Sequence, residues 1–227
     1  NTAYYVILGS AIRVVLAVCM ALALNLKIRG IEFYRVAYYL PAVTPAVANS
    51  IIWLWIFNPD YGLGNTLLSY LGLPGLRWVY DPVLSKPSMI IMSCFGVGSQ
   101  MIVLLAGLQS IPEETYEAAR IDGASSMQQM LRITLPLLTP SIFFVTVMQI
   151  INSFQVFTNA YVMTQGGPEN STLFYVLYIF RNGFEYFRMG YASALAVILF
   201  IIVFLLTRFQ FWFSKRWVYY EGEVGEQ

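Results

Sequence analysis

The chain has 227 residues, of which 58% are hydrophobic and 11% are charged, whereas roughly 25% are charged in a typical soluble protein. Thirteen basic and twelve acidic side chains are too few to cover the surface of a soluble domain of this length, so the composition predicts an integral membrane protein. The net charge of +1 provides no basic surface for nucleic acid, and the absence of histidine removes the commonest metal ligand. We therefore expect neither a nucleic-acid partner nor a metal site.

Five apolar stretches are long enough to cross the hydrocarbon core of a bilayer, which takes roughly 20 residues of helix. They predict spans at about 4–26, 36–57, 87–108, 137–163 and 189–209. Strands of a membrane barrel would be about 10 residues long with alternating polarity, and these stretches are longer and do not alternate. The sequence therefore predicts an all-α integral membrane protein that forms a single domain over residues 1–227.

The connections between the spans differ in their content of lysine and arginine, which are enriched in cytoplasmic loops. The first and third connections and the tail carry Lys27, Arg29, Arg35, Arg120, Arg132, Arg208, Lys215 and Arg216, whereas the second and fourth carry Arg77, Lys86, Arg181 and Arg188. We therefore expect the C-terminus to be cytoplasmic and residue 1 to be outside. An earlier span, absent from this sequence, is expected to bring the N-terminus inside, so that the chain holds five spans of six.

The third connection, residues 110–136, has the signals of two short helices. Ser110 and Glu113 have the spacing of a capping box, in which each side chain bonds the backbone of the other residue. This first helix is expected to run to about Asp122 and to end at Gly123, which can adopt the left-handed conformation.

The second helix of this connection is expected to begin at Ser125 or Ser126 and to end before Pro136. One narrow stripe follows the helical spacing i, i+3, i+4, i+7, and it consists of Met127, Met130, Leu131 and Thr134. Such a stripe docks in a groove of another protein or packs against the protein's own spans or the lipid headgroups. Both interpretations stay open.

Three short motifs follow one another in this connection: Glu117-Ala118-Ala119, Asp122-Gly123-Ala124 and Ile133-x-Leu135-Pro136. The pattern resembles the EAA loop of ABC importer permeases, in which a coupling helix sits in a cleft of a cytoplasmic ATPase. The resemblance implies that the ATPase-coupling residues are Glu117, Ala118, Ala119, Asp122, Gly123, Ala124, Met127, Met130 and Leu131. The family often has an aromatic residue where Met130 stands, so the contact there is expected to be softer.

Further motifs resemble the sugar-uptake branch of that family, which includes the maltose and glycerol-phosphate permeases. They are Tyr161-x-Met163-Thr164-x-Gly166-Gly167-Pro168 and Gly190-Tyr191-Ala192-Ser193-Ala194. The resemblance covers essentially the whole chain and implies the MetI-like fold, the type I transmembrane domain of an ABC importer. The outer-loop residues Gly166, Gly167 and Pro168 are expected to line an outer gate, to touch a binding protein or to form a simple connection.

The resemblance also implies how such a permease works. A sugar or oligosaccharide passes by alternating access through a multi-pass protein of the bacterial or archaeal cytoplasmic membrane. The implied partners are membrane lipid, a second permease that is identical or homologous, two ATPase subunits and an extracytoplasmic solute-binding protein. The chain has no G-x-x-x-x-G-K-[ST] motif, so we expect no cofactor in it, with ATP and Mg²⁺ held by the ATPase subunits. A permease for another solute and a secondary transporter are the alternatives.

Polar side chains in the fourth predicted span indicate a path for the sugar. At 100° per residue, Asn152, Gln155 and Asn159 lie within about 60° of arc, with Thr158 and Tyr161 near the outer end. Amides donate and accept hydrogen bonds and so match neighbouring hydroxyls, although they also bond helix to helix.

The third predicted span adds two candidates, because Ser93 and Gln100 are seven residues apart and share a face, with Gly96 between them. Arg13 is the one charged residue in the interior of a predicted span, since Arg208 lies at the very end of the last one. It must pair, extend to the interface or face water, so a contact to substrate and an interhelical hydrogen bond both stay open. A secondary transporter would be expected to hold paired ionisable groups there, which disfavours that alternative.

Overall fold

The structure is a computed structural model that describes residues 1–26 and 28–219. Lys27, predicted to be a cytoplasmic charge, lies outside the described residues, as do residues 220–227. The described residues form helices and no strand. The α-helices in chain order are α1 (Thr2–Leu24), α2 (Ile31–Tyr39), α3 (Ala46–Ile56), α4 (Leu63–Tyr70), α5 (Ser85–Cys94), α6 (Gly98–Gln109), α7 (Glu113–Ile121), α8 (Ser126–Gln129), α9 (Leu135–Phe154), α10 (Thr158–Met163), α11 (Tyr175–Phe180) and α12 (Met189–Ser214).

Short turns of other helix types join some of these elements. Leu40–Val43 and Trp78–Tyr80 are 3₁₀ turns, and Met130–Thr134 and Arg181–Glu185 are π-helical turns. Because the first π-helical turn joins α8 to α9 without a break, the chain from the third connection into the fourth predicted span is one continuous helix.

Three helices are long and apolar enough to cross a membrane, judged on length and composition: α1, the continuous helix Ser126–Phe154, and α12. Two bent pairs of helices pass the same test. Residues 31–43 turn into α3 by 99°, and α5 turns into α6 by 45°. With each bent pair taken as one span, the described part of the chain holds up to five.

Three predicted spans are therefore interrupted where the sequence suggested one straight helix each. The span at 36–57 turns sharply before Pro45, which has no N–H to continue a helix. The span at 87–108 bends near Gly96, between α5 and α6. The span at 137–163 stops at Phe154 and restarts at Thr158, although residues 155–157 include neither proline nor glycine. The last helix, predicted to end near 209, continues to Ser214.

The third connection contains both expected helices, but the capping box predicted for the first helix is wrong. The hydroxyl of Ser110 donates to the carbonyl of Gly107 at 2.9 Å, so it does not cap α7, which begins after Pro112 without a side-chain capping bond. Asp122 is the C-cap of α7, and Gly123 has a left-handed φ of 79°. The end predicted for the first helix is therefore confirmed.

The start of the second helix is also confirmed, whereas its predicted end before Pro136 is wrong. Ser125 and Gln128 form a capping box, with bonds of 2.7 and 3.4 Å. Pro136 is the second residue after the π-helical turn, in the first turn of α9, where the hydrogen-bond register changes and a missing N–H breaks no regular bond. Pro140 cannot bond the carbonyl of Pro136, and the hydroxyl of Thr139 donates to that carbonyl at 2.6 Å instead.

Helix α1 lies at the centre of the bundle and packs against α5, α6 and α9. Its fully buried Ala17 and Ala21 contact α6 and α9, and small residues of this kind allow helix backbones to approach closely in a membrane. Helix α12 differs, because only 11% of its most apolar window is buried, and most of its surface is therefore not covered by the other described helices of this chain.

Candidate functional site

A polar cavity of about 310 Å³ opens inside the bundle, between α1, α3, α5, α6, α9 and α10. Its lining includes a hydroxyl and five amides that can both donate and accept hydrogen bonds: Asn49, Ser93, Gln100, Gln149, Asn152 and Asn159. Polar groups are costly at membrane depth unless they face one another, water or a ligand. The cavity is therefore the first candidate for a site inside the spans.

The cavity lies where the three interrupted spans are broken. Ala46 and Asn49 belong to the start of α3, Gly96 belongs to the break between α5 and α6, and Val156 and Phe157 belong to the break between α9 and α10. Irregular backbone at membrane depth is tolerated where it is buried in protein or lines a water-filled cavity. The helix breaks are therefore tolerated because their irregular backbone lines the cavity.

Five of the seven residues proposed for the substrate path line this cavity, and two do not. Ser93, Gln100, Asn152, Thr158 and Asn159 are brought together from the third and fourth predicted spans. Gln155 and Tyr161 are exposed and lie outside the lining. The helical-wheel argument that grouped them is wrong, because the helix that carries Asn152 ends at Phe154.

The Tyr161 side chain makes an aromatic contact instead. Its ring stacks on Phe157, with ring centroids 5.4 Å apart and the planes 18° apart, and its edge meets Phe180. Phe157 is itself a lining residue of the cavity. Tyr161 therefore packs against a residue of the cavity lining without lining the cavity itself.

Sequence reasoning missed three polar residues of the lining: Asn49, Gln149 and Ser153. Gln149, Asn152 and Ser153 follow the helical spacing i, i+3, i+4, so a polar stripe one turn earlier on α9 could have indicated them. Gln149 is only 2% exposed, and its side-chain amide lies 2.9 Å from that of Gln100 on α6. The contact between these two amides thus connects α6 to α9 at the cavity.

Arg13 lines the same cavity from α1 and also bonds α9. Its Nε donates to the carbonyl of Gly9 at 2.9 Å, and its Nη2 donates to the hydroxyl of Ser153 at 2.8 Å. The guanidinium carbon lies 5.2 Å from the centre of the Tyr5 ring. The interhelical hydrogen bond expected as one alternative is present, and the cavity-facing position keeps the other alternative open.

The residues that the EAA resemblance marked lie together at the end of the continuous helix. Met127 and Leu131 are 60% and 53% exposed, whereas Thr134, the last member of the predicted stripe, is buried. Glu117, Ala118, Asp122 and Gly123 are exposed as well. The stripe therefore divides into an outer part open to a partner and an inner end that packs within the protein.

A second polar hollow, of about 300 Å³, lies beside those exposed side chains. It is lined by Ala119, Asp122, Gly123, Ala124, Gln128 and Arg132, together with Ile133. Met130 is half-buried beside the exposed Met127 and Leu131. Exposed apolar side chains next to a polar hollow form a surface with the mixed character of a protein interface.

The outer loop around Gly166, Gly167 and Pro168 is held by its own hydrogen bonds and lies outside the polar cavity. Gly166 has a left-handed φ of 82°, and the hydroxyl of Thr172 donates to the carbonyl of Gly167 at 2.8 Å. Ser171 ties the loop to α5 through a 2.8 Å contact with the hydroxyl of Ser85. These bonds fix the conformation of the loop and hold it against α5.

Comparison with known proteins gives consistent matches. Residues 13–219 match the family described as binding-protein-dependent transport system inner membrane component. The chain is 42% identical to the probable ABC transporter permease protein YesP of Bacillus subtilis, over 96% of this chain and 72% of that protein. It is 32% identical to the arabinooligosaccharides transport system permease protein AraP of Halalkalibacterium halodurans, over 91% of this chain and 67% of that protein.

The fold also matches solved structures. A chain of the bacterial alginate ABC transporter, solved in complex with an alginate pentasaccharide-bound periplasmic protein, superimposes with a TM-score of 0.86 at 25% identity. The match covers 95% of this chain and 76% of that one. The overall fold therefore belongs to a known ABC transporter architecture.

Proposed function

Because the chain belongs to the family of binding-protein-dependent transport system inner membrane components, we propose that it is the permease subunit of an ATP-driven importer for a sugar or oligosaccharide. The resemblance to ABC importer permeases and the all-α transmembrane fold that it implied are both confirmed. The relative AraP supports the sugar, since it is named for arabinooligosaccharides, and YesP supports the permease role, since it is named as a probable ABC transporter permease.

The observation that carries the proposal is the polar cavity at the three helix breaks. Its volume of about 310 Å³ is at the lower end of the roughly 300–1,000 Å³ typical of small-molecule sites. Transporters place substrate sites near the bilayer midplane, where discontinuous helices expose backbone groups to the ligand. Amides and hydroxyls supply the donors and acceptors that a sugar needs, with Phe157 as an apolar face.

The continuous helix Ser126–Phe154 connects this cavity to the loop proposed to receive the ATPase. One end carries the exposed Met127 and Leu131, and the other end carries Gln149, Asn152 and Ser153 in the cavity wall. A helix of this length spans roughly 40 Å. Because a helix is stiff along its axis, displacement of the loop moves the cavity wall, which is the motion that alternating access requires.

The rest of the assembly follows from this assignment. ATP and Mg²⁺ are bound by two ATPase subunits, which act on the exposed face of α7 and α8, and the permease chain is not catalytic. A second permease subunit completes the path, and a solute-binding protein delivers the sugar from outside. The chain crosses the cytoplasmic membrane several times, with its C-terminus in the cytoplasm.

Reconstitution of the complete importer in proteoliposomes tests the proposal. The chain, its second permease and the ATPase subunits are inserted together, the binding protein is added outside, and uptake of labelled sugars and oligosaccharides is measured. We expect uptake to require both ATP and the binding protein, and Glu117→Ala to lower uptake more than ATP hydrolysis. Uptake driven by an ion gradient without ATP, or ATP-driven uptake of non-sugar solutes only, would contradict it.

A further inference from the structure

The polar cavity contains one charge that no acidic residue balances. Arg13 is the only charged side chain among the described residues that line it. The acidic residues of the described chain all lie outside this lining, and they are Glu32, Asp60, Asp81, Glu113, Glu114, Glu117, Asp122, Glu169 and Glu185. The cavity therefore has a net positive charge at the depth where a cation is costly.

The contacts of Arg13 hold its orientation without neutralising it. The carbonyl of Gly9 and the hydroxyl of Ser153 accept from it, and the Gln149 side-chain oxygen lies 2.9 Å from Nη1 when the amide is oriented to satisfy its neighbours. These acceptors are uncharged, and they occupy three of the five N–H donors of a guanidinium. Donors and charge are therefore left for a ligand.

A charge enclosed among helices interacts with an anion more strongly than the same charge does in bulk water. A guanidinium also matches a carboxylate or a phosphate geometrically, because two parallel N–H groups can bond two oxygens. A neutral sugar would use the amides of the cavity but would leave the charge of Arg13 uncompensated. Charge and donor geometry thus favour one class of saccharide.

We propose that the cavity selects a saccharide with an anionic group, such as the carboxylate of a uronic acid, and that the guanidinium of Arg13 binds that group. The proposal rests on the proposed function and adds the substrate class to it. The hydroxyls of the same sugar meet the amides of Asn49, Asn152 and Asn159. Gln149 and Ser153 are positioning residues, since they hold the guanidinium toward the cavity.

The test uses the complete importer in proteoliposomes with four labelled probes: trigalacturonate, its trimethyl ester, glucose 6-phosphate and maltotriose. The acid and its ester share one skeleton and differ in charge, so their uptake ratio in the unmodified protein is the reference against which the Arg13 variants are compared. We expect the acid to be taken up in preference to the ester. Uptake of glucose 6-phosphate shows whether the cavity accepts a phosphate as well as a carboxylate.

The variants locate the preference at Arg13. Arg13→Gln should lower the ratio of acid uptake to ester uptake at least about tenfold, because a charge-assisted hydrogen bond is replaced by a neutral one. Arg13→Lys should lower the ratio of acid uptake to ester uptake less than Arg13→Gln does, since lysine keeps the charge but lacks the two parallel N–H groups of the guanidinium. Arg208→Gln, an equal change at an exposed position of α12 outside the cavity, should leave the ratio unchanged. The same binding protein serves every permease, so a changed ratio belongs to the permease.

Each outcome decides between the two proposals. Equal uptake of acid and ester, or an equal loss of both in Arg13→Gln, would overturn the anionic preference. ATP-driven uptake of maltotriose alone would do the same and leave the proposed function intact. Uptake of none of these probes and of no other sugar would remove the proposed function itself.

Discussion

The phenolic oxygen of Tyr116 lies 3.0 Å from Oγ1 of Thr134, which joins α7 to the π-helical turn that leads into α9. Thr134 Oγ1 also lies 3.4 Å from the carbonyl of Gln129, and either hydroxyl can donate in the shorter contact. Thr134 is only 8% exposed, which strengthens a bond of this kind. The helix that carries Glu117 is therefore tied to the helix that reaches the cavity.

Removing this tie should weaken coupling without stopping ATP hydrolysis. Tyr116→Phe deletes the hydroxyl and keeps the ring, and we expect the amount of sugar transported per ATP to fall by up to about fivefold, the factor that about 1 kcal/mol represents. Uptake and phosphate release measured on the same proteoliposomes give the ratio. Ser110→Ala deletes a hydroxyl that bonds only to Gly107 in this loop and serves as the control. An unchanged ratio in Tyr116→Phe would exclude the tie as a coupling element.

Gly123 offers a test that depends on backbone conformation. Its φ is 79°, and a Cβ added there would meet no atom within 4 Å, so a substitution is limited by strain and not by space. Gly123→Val should cost about 1–2 kcal/mol in the left-handed region and displace α7 relative to α8, lowering transport per ATP. Gly123→Asn should be milder, because asparagine tolerates this conformation. Equal coupling in Gly123→Val and the unmodified protein would argue against a docking role for this turn.

Of the three amides that the sequence placed on one helix face, Asn152 and Asn159 line the cavity and Gln155 does not. Asn152→Ala and Asn159→Ala should each lower uptake by roughly threefold to tenfold, since each removes a hydrogen bond to a sugar hydroxyl. Gln155→Ala should leave uptake unchanged, because Gln155 lies outside the lining. Concentration-dependent uptake of a transported sugar measures all three. A large loss in Gln155→Ala alone would place the path elsewhere.

The sequence predicted most of the loop that we propose receives the ATPase, because the signals of this loop are local. A capping box, a left-handed glycine and a helical stripe each depend on residues within one or two turns. The helix end predicted before Pro136 was wrong for a local reason as well. The π-helical turn ahead of the proline absorbs the missing donor, and such a turn has no recognised sequence pattern.

The cavity was harder to predict because it is built by breaks between helices. A helical wheel assumes a continuous axis, and the axis that carries Asn152 ends at Phe154 with no proline or glycine to signal it. Asn49 comes from a different span, which is bent by 99°, so no spacing along the sequence relates it to Asn152. The sequence could predict that amides and hydroxyls line a cavity, but only the tertiary structure identifies which residues do so.

Close helix packing gives a prediction about stability. An added Cβ at Gly107 on α6 would lie 3.0 Å from Cβ of Ser141 on α9 and closer still to its hydroxyl, whereas one at Gly190 on α12 would meet nothing within 4 Å. Gly107→Ala should therefore destabilise the protein by about 1–3 kcal/mol through overpacking. Gly190→Ala should stabilise it by about 0.5–1 kcal/mol, since alanine favours the helix. Thermal unfolding of the detergent-solubilised importer compares the two.

A rescue experiment assigns the Gly107 effect to the α6–α9 contact. Ser141→Gly removes two of the three atoms that the new methyl group would meet, and the third is the terminal methyl of the Leu138 side chain. The double variant Gly107→Ala with Ser141→Gly should therefore recover most of the lost thermal stability. Because the two changes are in direct contact, their effects should not add. If the double variant is less stable than either single variant, the loss arises elsewhere, and α6 and α9 are not packed as closely as the structure places them.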